Sequence, residues 1–402
     1  MEQSDTVILD DSSTRAEIAA LLQASSDHDL SKLQRLIDSC SFPECKAVDI
    51  LDPLTGRTPL HAAIASCQAT GADIDGDLVS KAHETVKLLL ENGAIWNQLD
   101  RNEETPGCVA FRLGLETLYQ LMVDAGVRAE MLLNRLGEYE ELDADEEDSP
   151  DSEGPSTERK KSIDANLGPD VAVAPPVDAH LDPASAKYLS STLSLGGDKI
   201  LDAELNGVMM AWENDIMKQS ADALLESPGR KILNIGFGMG IIDSHIQSHE
   251  NRPVEHHIIE AHPDVLKSIN DNGWPSKPGV TVHAGRWQEV LPKLLEDGIT
   301  FDAVYYDTFA ESYMEFKDFF TEHLLGLLEP DGVWSFFNGM GADRQISYDV
   351  YQKVVEIDLF EAGFEVEWVD IDVPNLSNHW KGVKRKYWDV ERYRFPVCKF
   401  VT

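Results

Sequence analysis

The second half of the chain alternates two apolar rhythms. Strand candidates stand at 231–235, 256–260, 280–283, 301–306, 332–337, 364–372 and 393–401, and the apolar run Ile232-Leu233-x-Ile235 has the look of a buried parallel strand. Between them, 241–249, 263–271, 287–296, 316–328 and 348–361 space their apolar residues at helical intervals. This alternation, from about Ser185 to the end, predicts an α/β domain with an open, mostly parallel seven-stranded sheet. No helical pattern fills 373–391, so the last two strands are expected to pair antiparallel. In the first part of the chain only helical spacing recurs, for example over 15–39. Between the two lies a stretch without periodicity. Residues 138–153 hold ten carboxylates, and polar, proline-containing sequence continues to about Pro183. Such a tract buries too little surface to fold and reads as an acidic disordered linker. The predicted division is an all-α domain over 1–136, a linker over 137–185 and the α/β domain over 186–402. A flexible linker by itself leaves the two folded parts without fixed geometry.

The helical part carries a repeat. Thr58-Pro59-Leu60-His61-Ala62-Ala63 matches the ankyrin signature T-P-L-H-x-A. Residues 85–94 then read as the second helix of the repeat, stopped at Gly93. A second start stands at Thr105-Pro106, with its close at Gly126. Thr58 and Thr105 are 47 residues apart, against a usual period of about 33, so an insertion is expected around Gly71–Ser80. His61 has a structural role in this motif, and 15–39 suits an atypical capping pair.

Composition narrows the partners. The 402 residues carry a formal charge of −38, which repels nucleic-acid phosphates and anionic membranes and favours basic proteins. No run of eighteen apolar residues is present, so no membrane span is expected. Five scattered cysteines without a C-x-x-C pair argue against zinc and against a disulfide framework. The N-terminus is acidic and lacks an apolar signal core, so a reducing compartment, cytoplasm or nucleus, is expected.

Candidate chemistry concentrates at the first strand of the α/β part. The run Ile232-Leu233-Asn234-Ile235 ends in Gly236-Phe237-Gly238-Met239-Gly240, and the next strand ends at Glu260. Glycines let the chain turn sharply and bring backbone close to a ligand, and a carboxylate ending the second strand suits ribose hydroxyls. A nicotinamide site has a third glycine where Ile241 stands, so the spacing fits the methyltransferase version better. A bare tight turn is the alternative. Asp307, at the exit of the strand 301–306, aims at the same crevice, or else caps a helix. Met209, Glu213 and Met217 fall at i, i+4 and i+8, one face of a helix; the methionines are otherwise core and Glu213 rim. The five histidines within 245–262 make no convincing metal set and read as structural or surface residues.

Several of these segments together resemble guanidinoacetate methyltransferase: Met209–Met217, Ile235–Ile241, Ile258–Glu260, Gly285-x-Trp287, Tyr306-Asp307-Thr308 and Leu328-x-Pro330-x-Gly332. The resemblance covers about 186–402. With ankyrin signatures and an acidic tract ahead of it, the whole chain resembles the fungal type IV protein arginine N5-methyltransferases. That resemblance implies a Rossmann-like class I methyltransferase domain. It implies transfer of a methyl group from S-adenosyl-L-methionine to the internal (delta, N5) nitrogen of an arginine, in a basic protein such as a ribosomal protein. S-adenosyl-L-homocysteine is the product and no metal is needed. It places the cofactor against Tyr188, Met209, Met217, Gly236, Phe237, Gly238, Met239, Gly240, Ile241, Glu260, Ala261, His262, Trp287, Gln288 and Asp307, with Glu213 and Asp307 facing the guanidinium. Gly339 and Met340 depart from the guanidinoacetate pattern at the far end of the substrate site.

The chemistry of the residues agrees. A guanidinium, with a pKa of about 12.5–13.8, is a poor nucleophile while charged. Carboxylates can hold its flat fork and one can take its proton, roles assigned to Asp307 first and Glu213 second. A small-molecule guanidino methyltransferase and an inactive ankyrin scaffold are the competing readings.

Overall fold

The computed structural model describes residues 12–43, 45–68, 76–145 and 183–401. Ten strands are described: Ser194–Leu195 (β1), Lys199–Leu201 (β2), Gly207–Met210 (β3), Lys231–Ile235 (β4), Glu255–Glu260 (β5), Val280–Ala284 (β6), Phe301–Tyr306 (β7), Leu328–Phe336 (β8), Phe364–Asp372 (β9) and Arg392–Phe400 (β10). The last seven form one sheet in the order β6-β5-β4-β7-β8-β10-β9. β4 pairs in parallel with β5 and β7, β5 pairs in parallel with β6, and β9 pairs antiparallel with β10. The apolar runs account for this: Ile232, Leu233, Ile258, Ile259, Ala303 and Val304 are all buried.

The chain divides into two compact units, Leu132–Ser335 and Met1–Met131 with Phe336–Thr402. The first contains β1–β7 and most of β8. Its strands β1-β2-β3 make a small antiparallel meander. The sequence pattern does not reveal that meander, because strands of two to four residues are too short to show a period. The helix expected over 316–328 is broken: Tyr313–Asp318 passes into a π-helical stretch, Phe319–His323, then Leu324–Leu327, and β8 begins at Leu328. Phe319 and Phe320 are fully buried there against Trp334, and an extra residue per turn suits such bulky rings.

The second unit holds the N-terminal helices. Ser12–Ser26 and Leu30–Ser39 form the first pair, Pro59–Ala65 and Gly76–Glu91 the next, and Pro106–Arg112 leads into Glu116–Asp145. Thr58 and Thr105 cap the helices they precede, each accepting from the backbone N–H three residues on. His61 is buried; its Nδ1 closes the Thr58 capping box and its Nε2 lies 3.0 Å from the Glu104 carbonyl. The structural role expected for His61 therefore holds. The insertion expected around Gly71–Ser80 lies partly outside the described residues, and 76–80 already belong to a helix. Glu116–Asp145 carries helix into the acidic tract, so 137–145 are not the disordered start of a linker; 146–182 lie outside the described residues. Glutamates keep helix propensity, which the count of carboxylates alone does not weigh.

Within this unit the N-terminal helices also meet the long helix Gln345–Glu361. Tyr119 donates to Asp349, Tyr351 donates to Glu130 at 3.0 Å, and Lys353 lies 3.2 Å from Asp124. Two glycines permit the approach. A Cβ at Gly107 would stand 2.6 Å from Ile346, and one at Gly126 would stand 2.6 Å from Val350 and 3.1 Å from Trp96. Direct packing onto the C-terminal segment thus corrects the expectation of a join through the linker alone. Gly126→Val should lower stability by about 1–3 kcal/mol, the usual penalty of overpacking. A urea midpoint unchanged from wild type would show that the seam can yield.

Candidate active site

Every residue assigned to the cofactor or the guanidinium lies in the unit Leu132–Ser335. The glycine turn leaves β4 with all three glycines in the left-handed region, at φ +89, +53 and +67 for Gly236, Gly238 and Gly240. Each is also closely covered. A Cβ on Gly236 would stand 1.8 Å from the carbonyl oxygen of Asp307, on Gly238 2.4 Å from Met209 Sδ, and on Gly240 2.4 Å from the Phe237 ring. Phe237 in turn packs edge-on against Trp274. Ile241 opens the helix Ile241–Ser248 immediately afterwards.

Two segments grip this turn. On one side, Met239 N–H donates to Met209 Sδ at 3.1 Å. On the other, Asp307 N–H donates to the Ile235 carbonyl at 2.8 Å and carries the chain out of β7. Glu213 is 2% exposed and accepts from Met210 N–H at 3.1 Å. Met209, Glu213 and Met217 do not share a helix face, as their spacing suggested. Met209 lies in β3 of the meander, Glu213 closes a 3-10 turn, and Met217 is buried in the helix Asn214–Leu224. Gly207 and the residues around it pair as a strand, and tertiary pairing overrides a period that only three residues supported.

Glu260 ends β5 as expected, and its carboxylate organises the turn. One oxygen accepts from Phe237 N–H at 2.9 Å and lies 3.4 Å from Gly238 N, and the other accepts from His262 N–H at 2.7 Å. Burial raises its pKa, and the backbone donors, that of Ala261 included, oppose the rise. His262 is 1% exposed and caps the helix Pro263–Asp271; its Nε2 lies 3.2 Å from the Tyr188 carbonyl. The Tyr188 ring packs between His262 and Phe309, and burial raises its hydroxyl pKa, with Glu260 and Asp307 adding to the effect. Trp287 and Gln288 begin the helix Trp287–Glu296.

Asp307 is the electrostatic centre. Its carboxyl is raised to about 7, first by burial and then by the charges of Asp243 and Glu260. Asp243 is a site residue that sequence reasoning missed. It is fully buried, accepts from Asn234 Nδ2 at 2.9 and 3.0 Å, and lies 3.1 Å from His256 Nε2. A polar Asn234 inside the run Ile232–Ile235 was the available signal, since a buried amide demands a partner. Glu311 was missed as well; it accepts from Trp287 Nε1 and from the Thr308 hydroxyl. Among the described residues no three His, Cys, Asp or Glu side chains could hold a metal ion.

The arrangement suits a cationic nucleoside. A glycine cradle that any side chain would fill, a carboxylate at the second strand end and a cluster of buried acids fit S-adenosyl-L-methionine, whose sulfonium is positive. Glu260→Ala should weaken S-adenosyl-L-homocysteine by about 1.5–3 kcal/mol, the worth of a hydrogen bond to a charged group. It should also loosen the turn, because Phe237, Gly238 and His262 lose their acceptor. Calorimetric affinity equal to wild type would remove Glu260 from the nucleoside site.

The guanidinoacetate N-methyltransferase family model matches residues 183–398. The protein arginine N-methyltransferase 2 of Aspergillus fumigatus is 51% identical over 411 residues, covering 96% of each chain. That of Emericella nidulans is 51% identical over 416 residues, covering 95% of this chain and 96% of its own. That of Neurospora crassa is 45% identical over 418 residues, covering 96% of each. At such identity across nearly its whole length, the chain belongs to the protein arginine N-methyltransferase 2 family, with a guanidinoacetate N-methyltransferase-type region over 183–398.

Proposed function

We propose that this chain methylates an arginine residue of a basic protein, a ribosomal protein being the expected class, at the internal N5 nitrogen, with S-adenosyl-L-methionine as donor. One observation carries the reading: the glycine turn is held between the Met209–Glu213 segment and the Asp307 strand exit, and both segments bring a carboxylate. The names of the relatives and the family match support arginine as the acceptor.

The cradle Gly236–Gly240 with Glu260, Tyr188, His262, Met209, Met217, Trp287 and Gln288 would hold the donor, which supplies an already activated methyl group. The chain's own work is on the guanidinium. Asp307 and Glu213 bind its fork and draw positive charge away from the attacking nitrogen. Asp307 accepts the proton that the nitrogen loses. Glu213 is buried and Asp307 is half-buried, so fewer waters compete for those carboxylates than in solution, which strengthens the grip.

The N-terminal helices fit the ankyrin plan, with the Thr58 capping box, the His61–Glu104 contact and the second Thr-Pro start at Thr105 in support. We assign them the recruitment of the protein substrate, consistent with an overall charge of −38 that draws basic partners.

The test is mass spectrometry of a basic ribosomal protein incubated with the full chain and S-adenosyl-L-methionine. Fragmentation that places a single methyl on the internal nitrogen supports the reading. Methyl on a terminal nitrogen overturns the N5 assignment. Preferential methylation of free guanidinoacetate overturns the protein substrate.

A further inference from the structure

Glu311 gathers donors from both flanks of Asp307. Its carboxylate accepts from the indole Nε1 of Trp287, at 2.9 and 3.1 Å to the two oxygens, from the Thr308 hydroxyl at 2.6 Å, and from the Tyr306 hydroxyl. Tyr306 and Thr308 are the neighbours of Asp307 in the chain, and Trp287 opens the helix assigned to the cofactor. The loop between Asp307 and Glu311 is held elsewhere too. Ala310 sits at φ +61, a left-handed conformation that non-glycine residues rarely adopt. Ser185, 4% exposed, donates to the Ala310 carbonyl at 2.6 Å, and Phe309 packs edge-on against Tyr188. A strained backbone persists only where its surroundings over-determine it, and here they converge on the five residues that present Asp307.

We propose that Glu311 is a positioning residue for this reaction, tying the strand exit Tyr306–Thr308 and the Trp287 ring into one frame that sets the Asp307 carboxylate before the ligands bind. The proposal rests on Asp307 being the base. Glu311 touches neither reacting atom. It acts through three donors, two of which adjoin Asp307 directly. Burial raises the Glu311 carboxyl, the Thr308, Tyr306 and Trp287 donors oppose that rise, and Glu315 adds to it; Glu315 itself lies 3.3 Å from Arg286. The charged and titratable groups facing Asp307 are Asp243, Glu260 and Tyr188, so Glu311 governs its setting through the backbone and not through its charge.

The test compares Glu311→Ala, Glu311→Gln and Thr308→Val with wild type and Asp307→Asn. It uses the pH dependence of kcat/KM, single-turnover methyl transfer and a thermal melt. In Glu311→Ala the strand exit loosens and the half-buried Asp307 becomes more open to water. Transfer per folded molecule should fall about 10–100-fold, as for a misplaced reacting group. The apparent pKa should move from about 7 toward the ordinary carboxylate range. Glu311→Gln keeps size and can still accept from the indole, so it should restore the pH profile and most of the rate. Thr308→Val removes one donor only and should shift both readouts the same way, less far. It also serves if Glu311→Ala does not fold. A lowered melting temperature with unchanged transfer and unchanged pH profile in Glu311→Ala and Thr308→Val overturns the proposal. If Asp307→Asn is inactive in that same experiment, the reading of Asp307 stands and only the role of Glu311 fails. A fully active Asp307→Asn removes the base itself, and with it the proposal.

Discussion

Asp307→Asn is expected to cut methyl transfer by about 10²–10⁴-fold, the usual worth of a general base, while the protein becomes more stable near neutral pH. The two effects share one origin. The Asp307 carboxyl is raised to about 7 by burial and by the neighbouring charges of Asp243 and Glu260. Its folded pKa lies above its unfolded value, so folding favours the protonated form. Below about pH 4 both states are protonated and the group costs nothing. Between about pH 4 and 7 the unfolded chain ionises and the folded chain resists, so stability is lost as pH rises, with a plateau above 7. Asparagine escapes that loss. The melting temperature of the variant should therefore exceed wild type at pH 8, and the gap should close toward pH 4. Activity runs the other way. The base works only when ionised, so kcat/KM of wild type should rise with pH through about 7. A bound guanidinium and a positive donor both favour the carboxylate, so the pKa seen in kcat should lie below that seen in kcat/KM. Wild-type turnover in Asp307→Asn, or a melting gap that does not depend on pH, would sink this account.

How far the site could be read from the chain depends on the kind of signal each part leaves. Apolar runs and alternating segments located all seven strands of the main sheet, and 231–235, 301–306 and 364–372 match the structure to the residue. The central strands 231–235 and 301–306 are buried on the basis of their own composition, so no partner had to be known, whereas the edge strand 364–372 alternates and is largely half-buried or exposed. The glycine turn and Glu260 were equally visible, because backbone close to a ligand needs glycine wherever the chain is folded. Residues whose role comes from distant partners were not. Asp243 is held by Asn234 and His256, and Glu311 by Trp287, Tyr306 and Thr308; the polar Asn234 in an apolar run signals that a partner exists without saying which, and nothing local marks Glu311. The Met209–Met217 spacing misled for the opposite reason: a local period was present, and the β2–β3 pairing overrode it. The seam between the N-terminal helices and Gln345–Glu361 was invisible too, since Gly126 reads as the close of a repeat and Gly107 carries no signal of its own until Ile346 and Val350 are known to face them.

Gly236→Ala should abolish cofactor binding and destabilise the fold more than any other single alanine in the turn. Two independent penalties meet at this position. Its φ of +89 is one that an L side chain rarely adopts, a cost of about 1 kcal/mol or more. A methyl there would also stand 1.8 Å from the Asp307 carbonyl oxygen and 2.8 Å from its carbon. Those are backbone atoms held by the Asp307–Ile235 hydrogen bond at 2.8 Å, so they cannot swing aside as a side chain does. Relief requires β4 to part from β7 at their C-terminal ends, where Asp307 is presented. Gly238→Ala meets Met209 Sδ at 2.4 Å, the end of a flexible side chain, and should weaken S-adenosyl-L-homocysteine with less loss of stability. Gly273 supplies the control: its φ is +69 but nothing lies within 4 Å of a Cβ, so Gly273→Ala isolates the backbone term. Calorimetry with S-adenosyl-L-homocysteine and chemical denaturation should therefore rank the variants Gly236, Gly238, Gly273 in falling order of damage. A Gly236→Ala protein that binds and melts like the Gly273→Ala control would mean that the strand exit moves freely, and the fixed presentation of Asp307 would fall with it.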